Sequence, residues 1–410
     1  MTSNLKDNLL KNNTGMMKFK GLLAGSISLN GYSPDVLKSG VQKYGRRGEL
    51  EKCEWCAVEL DLFSECGGEP IRTNNINRLI VNSCEDVGIA NPMLPIYIGK
   101  YVREWTIHRN SGNGLDRIAL LKMVNMICQS KKIRLLTDLK ATYKDGINID
   151  TITGNPEFSE IYQEMTTLPD TAAGLWDMFS EKDTEELSPL MDGLVWHLDN
   201  QDDRVFYYMF QILNLREQKK RCAQRFRGWR PNSYQLEKAL GGRFQPEYAI
   251  WEHLFLRAEG HRKLTETLEV LFDWYTNRSE PWLYLCQALV YFVRDCDWST
   301  SITEPIYQAS DISTVYQKNK DHKLVIDEYV YDANTKMGRK PASAHLELTS
   351  KVTNEADRLL NNKYREIYHL FKSIVEVKPV TKTKSRSKKT LKHETIDEVT
   401  VELVEDPIPC

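Results

Sequence analysis

At 410 residues the chain is long enough for two or three domains, and its 41 % apolar and 27 % charged residues are those of an ordinary folded protein. A formal net charge of −2 excludes a global field toward nucleic acid or an anionic membrane surface, so any such attraction must be local. The nine cysteines are odd in number and dispersed, which reads as free thiols of a reducing compartment and excludes a simple disulfide framework.

Residues 1–34 form a polar lead with one short apolar piece, MMKFKGLLAG, and lack the charged-then-apolar order of a secretory signal. From Asp35 to Trp298 apolar residues recur at three and four spacings, which predicts helix after helix. Residues 35–144 form a first helical domain. Its stripes are Val36, Val41 and Tyr44, then Leu50, Cys53, Ala57, Leu60 and Phe63, then Leu79, Ile80, Cys84 and Val87. Ile96, Tyr97, Tyr101 and Trp105 follow, and Ile118, Leu121, Val124, Ile127 and Cys128 close the set. Cys53 and Cys56 lie mid-helix, where Cys53 sits on an apolar stripe and reads as core rather than as a zinc ligand. Gly45-Arg46-Arg47-Gly48 reads as a small basic turn between helices.

Residues 145–187 are rich in turn formers and read as a linker. A second helical domain spans 188–298 and repeats the order of the first. SPLMDGLVWHLDNQDD follows the plan of SPDVLKSGVQKYGRRGE. With Gly40 over Gly193, Cys53 falls over Phe206, Trp55 over Tyr208 and Leu60 over Leu213; further on, Glu85 falls over Glu259 and Trp105 over Trp274. The extra length of the second set lies in one loop, 216–246, as in a diverged internal duplication; one long irregular helical array is the alternative. The longest apolar run, Trp282–Val293, is about half of the ~20 residues a membrane-spanning helix needs. The expected location is therefore intracellular, cytoplasmic or nuclear, with no membrane partner.

Residues 299–377 form a C-terminal segment. It contains a short extended run, Lys323–Asp332, and an amphipathic helix, Glu355–Val375. Residues 378–410 read as a disordered tail, basic over Lys378–Lys392 and acidic after it. The expected fold is all-α: two related multi-helix domains, a C-terminal helix and a tail.

No chemical motif stands out. Lys323–Glu328 has the look of a Walker B strand, but no G-x-x-x-x-G-K-[ST] loop accompanies it to cradle phosphates. The eight histidines are scattered, with no G-x-S-x-G or H-E-x-x-H near them. The expectation is a protein that is no enzyme and holds no cofactor or metal. The binding signal is the loop 216–246. Between Lys219 and Phe244 it carries Lys219, Lys220, Arg221, Arg225, Arg227, Arg230, Lys238 and Arg243 against one acid, Glu237, with Phe226, Trp229, Tyr234 and Phe244 among them. Arginines and lysines neutralise phosphates and aromatics stack on unpaired bases, which makes Lys219, Lys220, Arg221, Arg225, Arg227, Trp229, Arg230 and Arg243 candidate nucleic-acid contacts. The alternative is internal pairing with acids such as Asp199, Asp202 and Asp203.

The stretch NRLIVNSCEDVGIANP (Asn77–Pro92) resembles the helical C-terminal region of the MgsA/RarA/Werner-helicase-interacting-protein family, clamp-loader-like AAA+ proteins of DNA replication and recombination. Arg78, Leu79, Glu85, Asp86, Gly88, Ala90 and Pro92 stand at matching positions, and ELEKCEWCAVEL resembles that family's tryptophan-containing helix. The resemblance covers residues 35–130 and leaves out the ATPase module. It implies a helical oligomerisation or collar domain without ATP-driven activity, self-association or protein partners, and DNA rather than RNA. In this setting Glu85 and Asp86 are expected to satisfy amides at the start of the next helix. The chain also looks like helical proteins of large DNA viruses, through Asp332, Thr335, Gly338 and Arg339, with Asn334 at a histidine position. A DNA-associated scaffold or replication accessory factor is the function these signals imply. A purely structural assembly component, for example of a viral particle, is the alternative.

Overall fold

The computed structural model describes residues 17–21, 25–140, 143, 163, 167–172, 184–221, 247–299 and 302–331. Among these residues the fold is all-α, with twelve α-helices and no strand; an isolated antiparallel bridge joins Lys18 and Ile27. The first set comprises α1 (Pro34–Arg47), α2 (Leu50–Asp61), α3 (Glu69–Asn82), α4 (Leu94–Ser111) and α5 (Asp116–Gln129), followed by the short α6 (Leu135–Lys140). The second comprises α7 (Thr184–Asp199), α8 (Arg204–Arg221), α9 (Glu247–Arg257), α10 (Arg262–Asn277) and α11 (Pro281–Val293); α12 (Ala309–Asp321) comes last. No described helix is long and apolar enough to cross a membrane.

Local sequence explains the helix boundaries. Pro34 opens α1 with its fixed φ, Asp35 lies at the positive end of the helix dipole, and Arg46 and Arg47 lie at the negative end. Gly48 then takes φ 71° and ends the helix through bonds from its own amide to Gly45 and from Glu49 to Tyr44. Ser188–Pro189 is not the matching start: α7 already begins at Thr184, and Pro189 lies inside it. The buried face of α4 also differs from the expected stripe. Leu94, Ile98, Tyr101, Val102 and Trp105 point inward, while Ile96 and Tyr97 are half-exposed.

The two sets pack alike. In each, the first two helices form a hairpin (α1 on α2, α7 on α8) and the last two form another (α4 on α5, α10 on α11). The third helix leans on the second, fourth and fifth in both. Glycine allows the first hairpin to close in both: a Cβ on Gly40 would lie 2.6 Å from the Cys56 sulfur, and one on Gly193 would run into the Tyr208 ring. One buried apolar cluster runs through both sets. Its centre includes α11, buried at almost every position from Trp282 to Val293, as an all-round apolar helix must be.

Glu85 and Asp86 do not cap the next helix. Ser83–Val87 winds as a single π turn and sends both acids back to α1, where Gln42 donates to Glu85 at 3.2 Å and Arg46 to Asp86 at 2.7 Å. Gln42 and Arg46 stand one turn apart on α1, so one helix face meets both carboxylates. Arg46 is thereby buried, and Arg47 lies 3.6 Å over the Tyr329 ring; neither belongs to an exposed basic turn.

The C-terminal residues 302–331 return to the first set. α12 lies on α2 and α5, with Ile312 and Tyr316 over Val58, Leu62 and Leu121. Tyr307 donates to Glu54 (2.6 Å), Tyr316 to Asp61 (2.8 Å) and Tyr329 to Glu49 (2.7 Å), while Trp55 donates to the His322 carbonyl (2.9 Å). Lys132 closes α5 from below, its ammonium donating to the carbonyls of Ile127, Cys128 and Ser130. Burial lowers the Lys132 pKa, yet three carbonyls depend on it. Lys132→Met is therefore expected to cost about 1–3 kcal/mol through unmet buried acceptors. Equilibrium denaturation measures this, and an unchanged midpoint would contradict it.

Candidate nucleic-acid interface

The basic loop leaves α8 and returns at α9. Lys219, Lys220 and Arg221 fall in the last turn of α8, and their side chains lie outside the described residues. Arg225, Arg227, Trp229, Arg230, Lys238 and Arg243 lie outside the described residues altogether, as do the tail run Lys378–Lys392, the helix expected over Glu355–Val375 and the segment Asp332–Arg339.

The neck of the loop is well defined. Arg216 of α8 pairs with Glu247, the first residue of α9, and with Glu217 at 3.0 Å. The Glu247 side chain is fully buried. Burial works against the Arg216 charge, but Glu247 outweighs it and holds the guanidinium above its ordinary pKa. Aromatic rings support the pair from below. Tyr248 packs edge-on against Phe272 and Tyr275, and Trp251 lies 5.3 Å from Phe272. The Arg216–Glu247 pair ties α8 to the start of α9 on either side of the basic stretch in the sequence.

The acids proposed as internal partners of the loop are engaged elsewhere. Asp199 pairs with Arg257 of α9, and Asp203 with Arg294 beyond α11. Asp202 accepts from the Arg204 guanidinium at 2.9 Å, with His197 Nδ1 at 3.6 Å. Burial opposes ionisation of Asp202, but His197 and Arg204 overcome it and hold its carboxyl below the usual range. A carboxylate with a lowered folded pKa stabilises the fold above its unfolded pKa and loses that contribution as the pH falls. Asp202→Asn is therefore expected to be less stable than the wild type at pH 7, with the gap shrinking as the pH drops below about 4. Denaturant midpoints at pH 7 and pH 3 test this; a gap independent of pH would contradict it.

The other sequence candidates are in the fold itself. Cys53 and Cys56 are buried on α2, where the Cys53 thiol donates to the Val41 carbonyl at 3.3 Å. Burial pushes the Cys56 thiol well above its ordinary pKa, which removes the thiolate that reactivity requires. Among the described residues no three His, Cys, Asp or Glu side chains gather as a metal site. Lys323–Asp327 is an irregular segment, not a strand. Asp327 is held by Lys52 at 2.8 Å, and its amide donates to the Tyr44 hydroxyl.

A dense charge cluster went unread in the sequence. Arg72 bonds Asp61 at 2.7 Å and also Asp116, with Glu69 at 3.2 Å. Arg109 joins through Glu69 at 2.8 Å and Arg117 lies 3.5 Å from Asp61. Arg72 stands beside Ile71, Asn75, Ile76 and Leu79 on the buried face of α3; an arginine at an apolar-stripe position was the available signal. Its acids and bases pair among themselves, which suits a structural clamp.

No family model, no curated protein and no solved structure matches the chain.

Proposed function

We propose that the chain is a non-enzymatic, DNA-associated scaffold, of the kind that accompanies replication or recombination, and that its nucleic-acid contact is the loop between α8 and α9. Lys219, Lys220, Arg221, Arg225, Arg227, Arg230 and Arg243 supply phosphate contacts, and Trp229 stacks on an exposed base. The supporting observation is the engagement of Asp199, Asp202 and Asp203 by arginines of the helical fold. The acids that would be the loop's internal partners thus already hold cations of the helical fold, which favours an external anionic partner. The resemblance of residues 35–130 to a clamp-loader collar adds self-association or protein partners to the same reading, inside the cell.

The test is a titration of the intact chain with single-stranded DNA, duplex DNA and RNA oligonucleotides of equal length at low and at physiological salt. Saturable binding to DNA that weakens with salt is expected. Absence of binding at low salt rejects the reading and favours a purely structural assembly component.

A further inference from the structure

Residues 34–129 and 184–293 match beyond the order of their helices. At one constant separation in the sequence, Val41 corresponds to Leu194, Tyr44 to His197, Cys53 to Phe206, Cys56 to Met209 and Leu60 to Leu213, and every one of these is buried. At the same separation Gly48 corresponds to Gln201. Both take a left-handed conformation, φ 71° and φ 52°, although glutamine rarely does so. The bonds around them also coincide: Gly48 to Gly45 and Glu49 to Tyr44 in one set, Gln201 to Leu198 and Asp202 to His197 in the other.

Two ion pairs recur with their polarity reversed. In the first set Arg46 of α1 reaches Asp86, just beyond α3; in the second Asp199 of α7 reaches Arg257, at the end of α9. Likewise Asp61 of α2 bonds Arg72 of α3, whereas Arg216 of α8 bonds Glu247 of α9. The same two links join the same helices, and either polarity satisfies a partly buried pair. The sets also meet through equivalent helices. α4 packs on α10, with Gly99 facing Val270 and the Thr267 hydroxyl directed at the Pro92 carbonyl.

We infer that the two sets are copies of one five-helix unit, and that the α4–α10 seam is a self-pairing surface whose natural partner is a second copy of the unit. In the intact chain that partner is internal. The seam joins equivalent helices of the two units, and α11 packs beside it on the Ser83–Val87 turn, on Gly88–Ala90 and on α6. The seam therefore accepts the corresponding half of a second chain whenever the internal match is spoiled and the external one is good. This inference is independent of the nucleic-acid reading.

Complementary variants test it. A Cβ on Gly99 would lie 2.8 Å from a Val270 methyl, so Gly99→Leu makes a knob and Val270→Ala makes a hole. Sedimentation velocity is run on the knob chain, the hole chain, their equimolar mixture, the knob chain mixed with wild type, and one chain carrying both changes. The mixture of knob and hole is expected to give a 1:1 heterodimer. The knob with wild type should give none, and the doubly substituted chain should sediment and melt as the wild type does. Two results overturn the inference: a knob–hole mixture that forms no complex, or a doubly substituted chain that fails to recover the wild-type melt. The second result decides the matter even where the knob chain alone does not fold.

Discussion

Replacing Arg225, Arg227 and Arg230 by alanine is expected to weaken DNA binding for all sequences alike and to flatten its salt dependence. Each lost phosphate contact removes up to about 0.7–0.9 log units of slope, so the triple variant loses roughly 2–3. The loss is uniform across sequences because phosphates carry no base information. Trp229→Ala should act differently. It should weaken single-strand binding by roughly 1–3 kcal/mol and duplex binding less, since stacking requires an unpaired base face. Neither change should lower the melting temperature, because Asp199, Asp202 and Asp203 keep their own arginines. A triple variant that binds DNA normally but melts earlier would make these arginines internal ion-pair partners and remove the loop from the binding site.

Arg72→Leu is expected to be the most damaging single change to the fold, costing about 3–5 kcal/mol. Asp61 and Asp116 are both buried and both depend on this guanidinium, with side-chain exposures of 2 % and 7 %. Burial already raises the Asp61 pKa, with Arg72 the chief opposing influence. Without Arg72, buried Asp116 would lose this guanidinium, Asp61 would be left to Tyr316 and Arg117, and α2, α3 and α5 would lose their shared tie. Arg72→Lys should not rescue it, because one ammonium cannot reproduce the fork that serves Asp61 through Nε and Asp116 through Nη2. Chemical denaturation at pH 7 measures the cost; a loss below about 1 kcal/mol would show the clamp to be dispensable.

Much of the fold was legible because helical periodicity is local. The stripes at Val41–Tyr44, Cys53–Leu60 and Leu79–Cys84 are buried as expected, and the pairing of Gly40 with Gly193 marks two helix crossings of the same kind. The errors lie where tertiary partners decide. Asp86 reads as a cap in sequence, but its partner Arg46 is forty residues away and is revealed only by the π turn. Ser188–Pro189 has the signature of a helix start, yet α7 extends through it. The return of residues 302–331 to the first set could not be read at all, since hydrogen bonds such as Tyr316 to Asp61 join positions with no periodic relation. For the candidate site, composition identified the basic loop, but its neck was missed. Arg216 and Glu247 flank the loop as ordinary charged residues, and only the closing of α8 on α9 makes them a pair.

The most direct measurement is the slope of log K against log salt for the intact chain on single-stranded DNA. Four or more phosphate contacts from the loop predict a slope of about −3 or steeper. A flat slope, or no saturable binding at low salt, would contradict a phosphate-binding role for this protein.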